Sequence, residues 1–334
     1  MSRVLIIAEA GVNHDGVLAD AHAHVDAEAD AGADVVKFQT FRAERLVTAA
    51  ARKAAYQVRT TGSADPQLAM LRALELAPEA HHALAAHAAV RGIAFLSTAF
   101  DSESLDFLVT LGPSAVKVPS GELTNLPYLR HVAGLGLPVM LSTGMATLGE
   151  VEAAIAALEQ AGCTRGAITV LHCTTEYPAP MAEVNLRAMT AMRVAFGVCV
   201  GYSDHTAGLE VPVAAVALGA TVIEKHLTLD RTRPGPDHAA SLEPLEFGQM
   251  VRAIRTVECA LGDGIKRPTI SECGNQAIAR RSIVAAQPIR AGETFGAHNL
   301  TVKRPGTGLS PMLWDAVVGR VASRDFATDD AVTL

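Results

Sequence analysis

Eight short, nearly continuous apolar runs recur along this chain, most of them separated by alanine-rich stretches of helical character. The runs are RVLIIAEA (3–10), DVVKFQT (34–40), IAFLST (93–98), AVKVPS (115–120), PVMLST (138–143), ITVLHCT (168–174), FGVCVGYS (196–203) and ATVIEKH (220–226). Helical stretches at 18–31, 78–91, 147–161 and 208–218 lie between them, and 243–261 follows the last. Apolar runs without polar alternation are buried on both faces, the condition of a parallel sheet covered by helices. Eight such units in about 260 residues predict a closed (β/α)8 TIM barrel rather than an open sheet.

Two stretches break the rhythm. Residues 41–77 are too long for a simple connection, and an extension of that size is more often functional than idle, so it is expected to cover the barrel mouth. The polar GDGIKRPTISECGNQ (262–276) then changes the character of the chain. The expected organisation is a barrel over 1–262, a linker over 263–278 and a small β-rich domain over 279–334. About 55 residues make a modest core, so that last piece is expected to pack on another surface.

A net charge of −7 argues against a nucleic-acid partner. Neither a signal peptide nor an apolar run of about 18 residues is present, so no membrane partner is expected. Cys163, Cys173, Cys199, Cys259 and Cys273 lack CxxC spacing and are expected to be buried structural thiols in a cytoplasmic protein.

Polar residues at the C-terminal ends of barrel strands face the active-site mouth. Here they are Glu9; Lys37 and Gln39; Ser97 and Thr98; Lys117 and Ser120; Ser142 and Thr143; His172 and Thr174; Ser203, Asp204 and His205; Glu224 and His226. Lys37 and Lys117 among so many hydroxyls resemble a clamp for phosphate or carboxylate. His205 and His226 end neighbouring strands, with Glu224 and Asp237 nearby, and would suit a divalent first-row metal such as Mn²⁺. His22, His24, His81, His82, His87 and His131 fall in helical stretches and are expected at the solvated surface.

The segments IAEAGVNHDG, DVVKFQTFRAERLVT, FLSTAFD, KVPSGELTNLPYL, LSTGM, LHCTTEYPAP, GYSDHTAGLEVPVAAVALGA, IEKHLTLD and GPDHAASLEP together resemble the bacterial sialic acid synthases. The tail, ARRSIVAA followed by NLTVKRPGTGLSP, resembles the antifreeze-like (SAF) domain that closes those proteins. The family includes N-acetylneuraminate, legionaminic acid and pseudaminic acid synthases and spore-coat relatives. The resemblance implies condensation of phosphoenolpyruvate with an N-acylated, N-acetylmannosamine-type sugar, giving a nonulosonic acid and phosphate. Lys37, Thr98, Lys117, Ser120 and Ser142 would then hold phosphoenolpyruvate. His205 and His226 would bind Mn²⁺, with Mg²⁺ or Co²⁺ as alternatives. Glu9, Gln39, Glu122, Tyr177 and Asp237 would position the sugar or move protons. Arg304 would reach the sugar from the tail of the partner in a swapped homodimer.

The chain departs from the family pattern at Ala99, where proline is common, and at Thr60 and Thr175, where relatives carry asparagine. Thr175 stands near the implied phosphate, and Thr60 bears on which sugar is used. Alternatives are a diacetamido-trideoxy hexose leading to legionaminic or pseudaminic acid, a barrel aldolase with Lys37 or Lys117 as a Schiff base, and a sugar binder without catalysis.

Overall fold

The computed structural model describes residues 3–63 and 65–334. All eight runs form parallel strands: β1 Leu5–Gly11, β2 Val35–Thr40, β3 Ala94–Ala99, β4 Val116–Val118, β5 Val139–Ser142, β6 Ile168–Cys173, β7 Cys199–Asp204 and β8 Val222–His226. Their order is β3-β2-β1-β8-β7-β6-β5-β4, with hydrogen bonds between each pair of neighbours. The barrel is therefore nearly closed: among the described residues no ladder joins β3 to β4. A cavity of about 220 Å³ lies beside that seam, lined in part by Phe95, Leu105, Leu108, Leu111 and Val116.

The first helix is α1, Leu18–Asp30. Residues 41–77 carry three short helices, α2 Ala43–Leu46, α3 Ala55–Thr61 and α4 Gln67–Leu74. Those closing the remaining units are α5 Pro78–Arg91, α6 Ser102–Val109, α7 Leu126–Gly134, α8 Leu148–Gln160, α9 Leu186–Phe196, α10 Glu210–Ala217 and α11 Pro244–Leu261. Local chemistry fixes several starts. Asp101 accepts from the Ser104 amide at the head of α6, and Thr147 and Glu150 form a reciprocal capping box on α8. Among the described residues, no helix is long and apolar enough to cross a membrane.

Strand periodicity divides the side chains between two cores. Ile6, Ala8, Val118, Leu141, Val170, Tyr202 and Ile223 pack in the large outer core with helical residues. Ile7, Val35, Leu96, Met140, Leu171 and Val222 form a separate inner layer. Two residues further along the same strands come Glu9, Lys37, Thr98, Ser142, Cys173 and Glu224. The polar floor of the mouth thus rests directly on an apolar plug.

The chain divides into two compact units, Met1–Asp263 and Gly264–Leu334. The stretch read as a linker contains a helix, α12 Ile270–Ala279, started by a capping box of Thr269 and Glu272. Its polar composition concealed it, because none of its side chains is buried. The second unit also holds the antiparallel pair β9 Ser282–Ala285 and β10 Leu300–Lys303. Ile283, Ile289, Phe295, Leu300, Val317 and Phe326 centre its small core, beside the short helix α13, Trp314–Val317.

Two surface expectations are corrected. His24 and His81 are buried, on the faces of α1 and α5 that carry Ala21, Val25, Ala80 and Leu84. His81 Nε2 lies 2.7 Å from Thr40 Oγ1, and His24 Nδ1 lies 3.5 Å from Glu28 Oε1. The Thr40 hydroxyl offsets the desolvation of His81, and the Asn13 carbonyl, 3.3 Å from Nε2, that of His24, whose Nδ1 has no hydrogen-bond partner. Of the cysteines, Cys163 and Cys173 are buried, whereas Cys199, Cys259 and Cys273 are exposed. Cys199 opens its strand at the outer edge, and α12 buries nothing, which leaves Cys273 at the surface.

Candidate active site

One cavity of about 380 Å³ opens at the C-terminal end of the barrel. It is lined by Glu9, Lys37, Gln39, Thr98, Lys117, Ser120, Glu122, Ser142, Thr175, Tyr177, His205, His226 and Asp237, whereas Ser97, Thr143, His172, Thr174 and Asp204, also expected at the mouth, do not line it. Arg304 is exposed on the turn after β10 in the second unit. Thr60 points back onto its own helix, its hydroxyl donating to the Tyr56 carbonyl at 3.1 Å.

The two lysines are buried and already have carboxylate partners. Lys37 Nζ donates to Thr98 Oγ1 at 2.9 Å, contacts Glu9 and lies 3.6 Å from Glu224 Oε2. Lys117 Nζ donates to Glu224 Oε1 at 2.7 Å, and Ser203 Oγ donates to the same oxygen at 2.9 Å. Burial alone would depress the Lys37 ammonium, but Glu224 and Glu9 beside it hold it above its ordinary range. Burial would raise Glu224, yet Lys117 and Lys37 keep its carboxyl well below the usual carboxylate range. Glu9 moves the other way, raised by burial against the pull of Lys37. Glu224 is therefore the counter-ion of both cations. Its position two residues before His226 places it on the same strand face, the signal by which the sequence identifies it.

Beside the cations sits a cluster of hydroxyls. Ser120 Oγ accepts from the Gly144 amide at 3.0 Å and lies 3.2 Å from Cys173 Sγ. A β-carbon on Gly144 would fall 2.1 Å from Thr175 Oγ1 and 2.8 Å from Ser120 Oγ, so only glycine permits this approach. Ser142 Oγ and Thr175 Oγ1 are buried without a protein hydrogen-bond partner. Buried hydroxyls in that condition suit the oxygens of an anion.

An aromatic group lines the same mouth. The His205 and His226 rings are 5.6 Å apart, and the Tyr177 ring lies 4.1 Å from His205. Tyr56, from α3, stacks on Tyr177 at 5.0 Å; sequence reasoning passed over it although it is one of only four tyrosines. Burial pushes His205 down to about 4 and His226 well below its ordinary value, so both are neutral near pH 7. His205 Nδ1 donates to the Thr174 carbonyl at 2.7 Å, which leaves Nε2 with its lone pair. His226 Nδ1 is buried without a hydrogen-bond partner. With metal–nitrogen bonds of about 2.1 Å, rings this close can share one ion. Among the described residues no group of three or more His, Cys, Asp and Glu side chains is arranged to hold a metal ion.

Residues 24–266 match the NeuB family, and residues 280–334 match the SAF domain. The chain belongs to the NeuB family. Among NeuB-family relatives, N,N'-diacetyllegionaminic acid synthase of Campylobacter jejuni is 51% identical, the match covering 99% of each chain. The enzyme of the same name from Legionella pneumophila is 46% identical, over 94% of this chain and 89% of that one. The crystal structure of N-acetylneuraminic acid synthetase from Leptospira borgpetersenii, in complex with citrate, superposes with a TM-score of 0.72 at 32% identity, covering 82% of this chain and 90% of that one.

Proposed function

We propose that this chain is a nonulosonic acid synthase that condenses phosphoenolpyruvate with an N-acylated mannose-type sugar, and that the sugar is a diacetamido-trideoxy hexose. The observation that carries the class is the pair of buried lysines among strand-end hydroxyls, lining one mouth with two neutral imidazoles. An enol phosphate is anionic at both ends, and Lys37, Lys117, Thr98, Ser120 and Ser142 offer charge-assisted and neutral hydrogen bonds to it. The choice of sugar is supported by the 51% and 46% identical legionaminic acid synthases and by an apolar wall of Phe41, Leu46, Val47, Met70, Leu71 and Leu74. Such a wall suits the methyl group of a 6-deoxy sugar better than a hydroxymethyl, which would lose hydrogen bonds there.

In this reading the methylene carbon of phosphoenolpyruvate bonds to the sugar's aldehyde carbon, and the aldehyde oxygen takes a proton. Water adds at the enol carbon, and the carbon–oxygen bond to phosphate breaks. Glu9 and Asp237, both raised by burial, are placed to hold that proton, with Glu122 at the rim as a third carboxyl. Gln39 Nε2 donates to Glu9 Oε1 at 3.1 Å and orients it, while Tyr177 walls the sugar side. A divalent cation on His205 and His226, Mn²⁺ in preference to Mg²⁺ or Co²⁺, supplies Lewis acidity when bound. The Schiff-base alternative fits less well, since Lys37 is held as an ammonium and an ammonium is not a nucleophile.

Arg304 we assign to a partner's mouth in a swapped homodimer, a reading supported by its exposed turn and by the exposed Ile270 and Ile278 of α12. The exposed thiols suit a reducing, cytoplasmic setting. The decisive test is phosphate release from phosphoenolpyruvate against a panel of aldoses, with mass spectrometry of each product. The diacetamido-trideoxy hexose is expected to give the highest kcat/KM, and EDTA to stop turnover. Preference for N-acetylmannosamine would overturn the sugar, and no release with any aldose would overturn the class.

A further inference from the structure

Asp204 and Lys225 are fully buried, and each precedes an imidazole in sequence, His205 and His226. Consecutive strand residues point to opposite faces. The imidazoles line the cavity, and neither Asp204 nor Lys225 does. Asp204 and Lys225 also face each other as the last register pair of β7 with β8. The histidines stand one residue past it, where the ladder between these two strands has ended.

A side-chain knot continues the connection beyond that point. Lys225 Nζ donates to Asp204 Oδ2 and, at 2.6 Å, to the Thr206 carbonyl. Asp204 Oδ1 accepts from the Thr206 amide at 3.0 Å and from its hydroxyl at 2.9 Å. Residues 204–206 are thereby folded around one ammonium from the neighbouring strand, with His205 in the middle. On the inner side, the His205 ring is held by Thr174.

We infer that the Lys225–Asp204–Thr206 knot sets the spacing of the His205 and His226 imidazoles and thereby the affinity of the metal they hold. A buried ion pair is a poor device for stability, because apolar side chains of similar volume often serve as well. It is a good device for fixing geometry: the ammonium has three donors, and it bonds the Asp204 carboxylate and the Thr206 carbonyl, on either side of a ligand. Partners behind a ligating histidine govern its orientation and the strength of the site. Asp204, Lys225 and Thr206 are positioning residues in this scheme, touching neither substrate nor metal.

The inference rests on the metal reading of the two histidines, and the test separates them. The variants are the double substitution Asp204→Leu/Lys225→Met, which removes both charges, and Thr206→Val, which removes one hydroxyl. His205→Ala is the control. Mn²⁺ affinity is read from the electron paramagnetic resonance signal of free Mn²⁺, phosphoenolpyruvate affinity by calorimetry in EDTA, and folding by circular dichroism. The double variant is expected to bind Mn²⁺ roughly tenfold or more weakly, and Thr206→Val roughly threefold more weakly. Phosphoenolpyruvate affinity is expected to be unchanged in both. A folded variant with wild-type Mn²⁺ affinity, or one that loses both ligands in proportion, overturns the positioning role. Wild-type Mn²⁺ binding by His205→Ala overturns the metal reading itself. Should the double variant not fold, Thr206→Val decides.

Discussion

Glu224 and Asp237 are both buried in one cavity, yet their surroundings push them in opposite directions. Glu224 stays ionised between two ammonium groups, while burial, reinforced by the charge of Glu9, pushes Asp237 up to about 7. Carboxyls driven apart in this way commonly divide the work, one as a fixed charge and the other as a proton carrier. The shift has a measurable sign. Below about pH 4, where an unfolded aspartate titrates, Asp237 is protonated in both states and its contribution to stability is complete. As pH rises toward 7 the unfolded chain releases that proton first, so the contribution is lost, on the order of a few kcal/mol. Metal-free wild-type protein should therefore lose Tm relative to Asp237→Asn between about pH 4 and 7. Parallel Tm curves for the two proteins would count against the raised carboxyl. The strand-end residues of this site, from Glu9 to His226, were legible as positions, whereas Glu122, Thr175 and Tyr177 lie beyond the strands and rested on the resemblance to the sialic acid synthases. The pairing of the strand-end groups was not legible, since nothing in a linear sequence shows that Glu224 lies between Lys37 and Lys117. The burial of His24 and His81 was hidden for a related reason: a polar residue on the inner face of a helix looks like one on the outer face until its partner arrives from another element.

At the scale of elements, the strands were readable because each is a short apolar run, and the mouth-covering role of residues 41–77 followed from length alone. The three helices within that stretch, and α12, were not foreseen. At four to ten residues, helices carry too few turns to establish a 3.6-residue period, and tertiary packing decides them. Helix α3 brings two side chains to the loop after β6: Tyr56 stacks on Tyr177, and Arg59 pairs with Glu176 at 2.9 Å. The ion pair is exposed and contributes little. An aromatic pair is worth about 0.5–1.5 kcal/mol beyond area burial, and this one supports the ring lying against His205. Tyr56→Ala is accordingly expected to raise the KM for the sugar roughly two- to tenfold. The KM for phosphoenolpyruvate should change much less, since Lys37, Thr98, Lys117, Ser120 and Ser142, its proposed partners, sit on β2 to β5 and the loop after β4, and only Thr175 shares the loop that Tyr56 touches. Initial-rate kinetics with each substrate varied in turn read the difference, and an equal rise in both constants would assign Tyr56 to general packing.

For the whole molecule, the proposed sharing of sites between subunits has a direct consequence in mixtures. An Arg304→Ala chain has an intact barrel and a defective tail, and a His205→Ala chain has the reverse. Verified heterodimers should recover one working mouth and measurable phosphate release, while either parent alone stays impaired. Heterodimers without recovery would confine Arg304 to its own chain. The missing ladder between β3 and β4 acts at the same scale. A hoop resists being flattened, but a ring cut at one place springs open there, and the cut here runs between Thr98 on β3 and Lys117 on β4. The jaws proposed for the anion thus stand on either lip of the split, where they can part and close again without breaking a single inter-strand backbone bond. Deuterium uptake should register this compliance: residues 94–99 and 116–118 are expected to exchange faster than 199–204 and 222–226, and to slow selectively when phosphoenolpyruvate bridges the lips. Equal uptake by all four strands would mean that the ring is closed in solution.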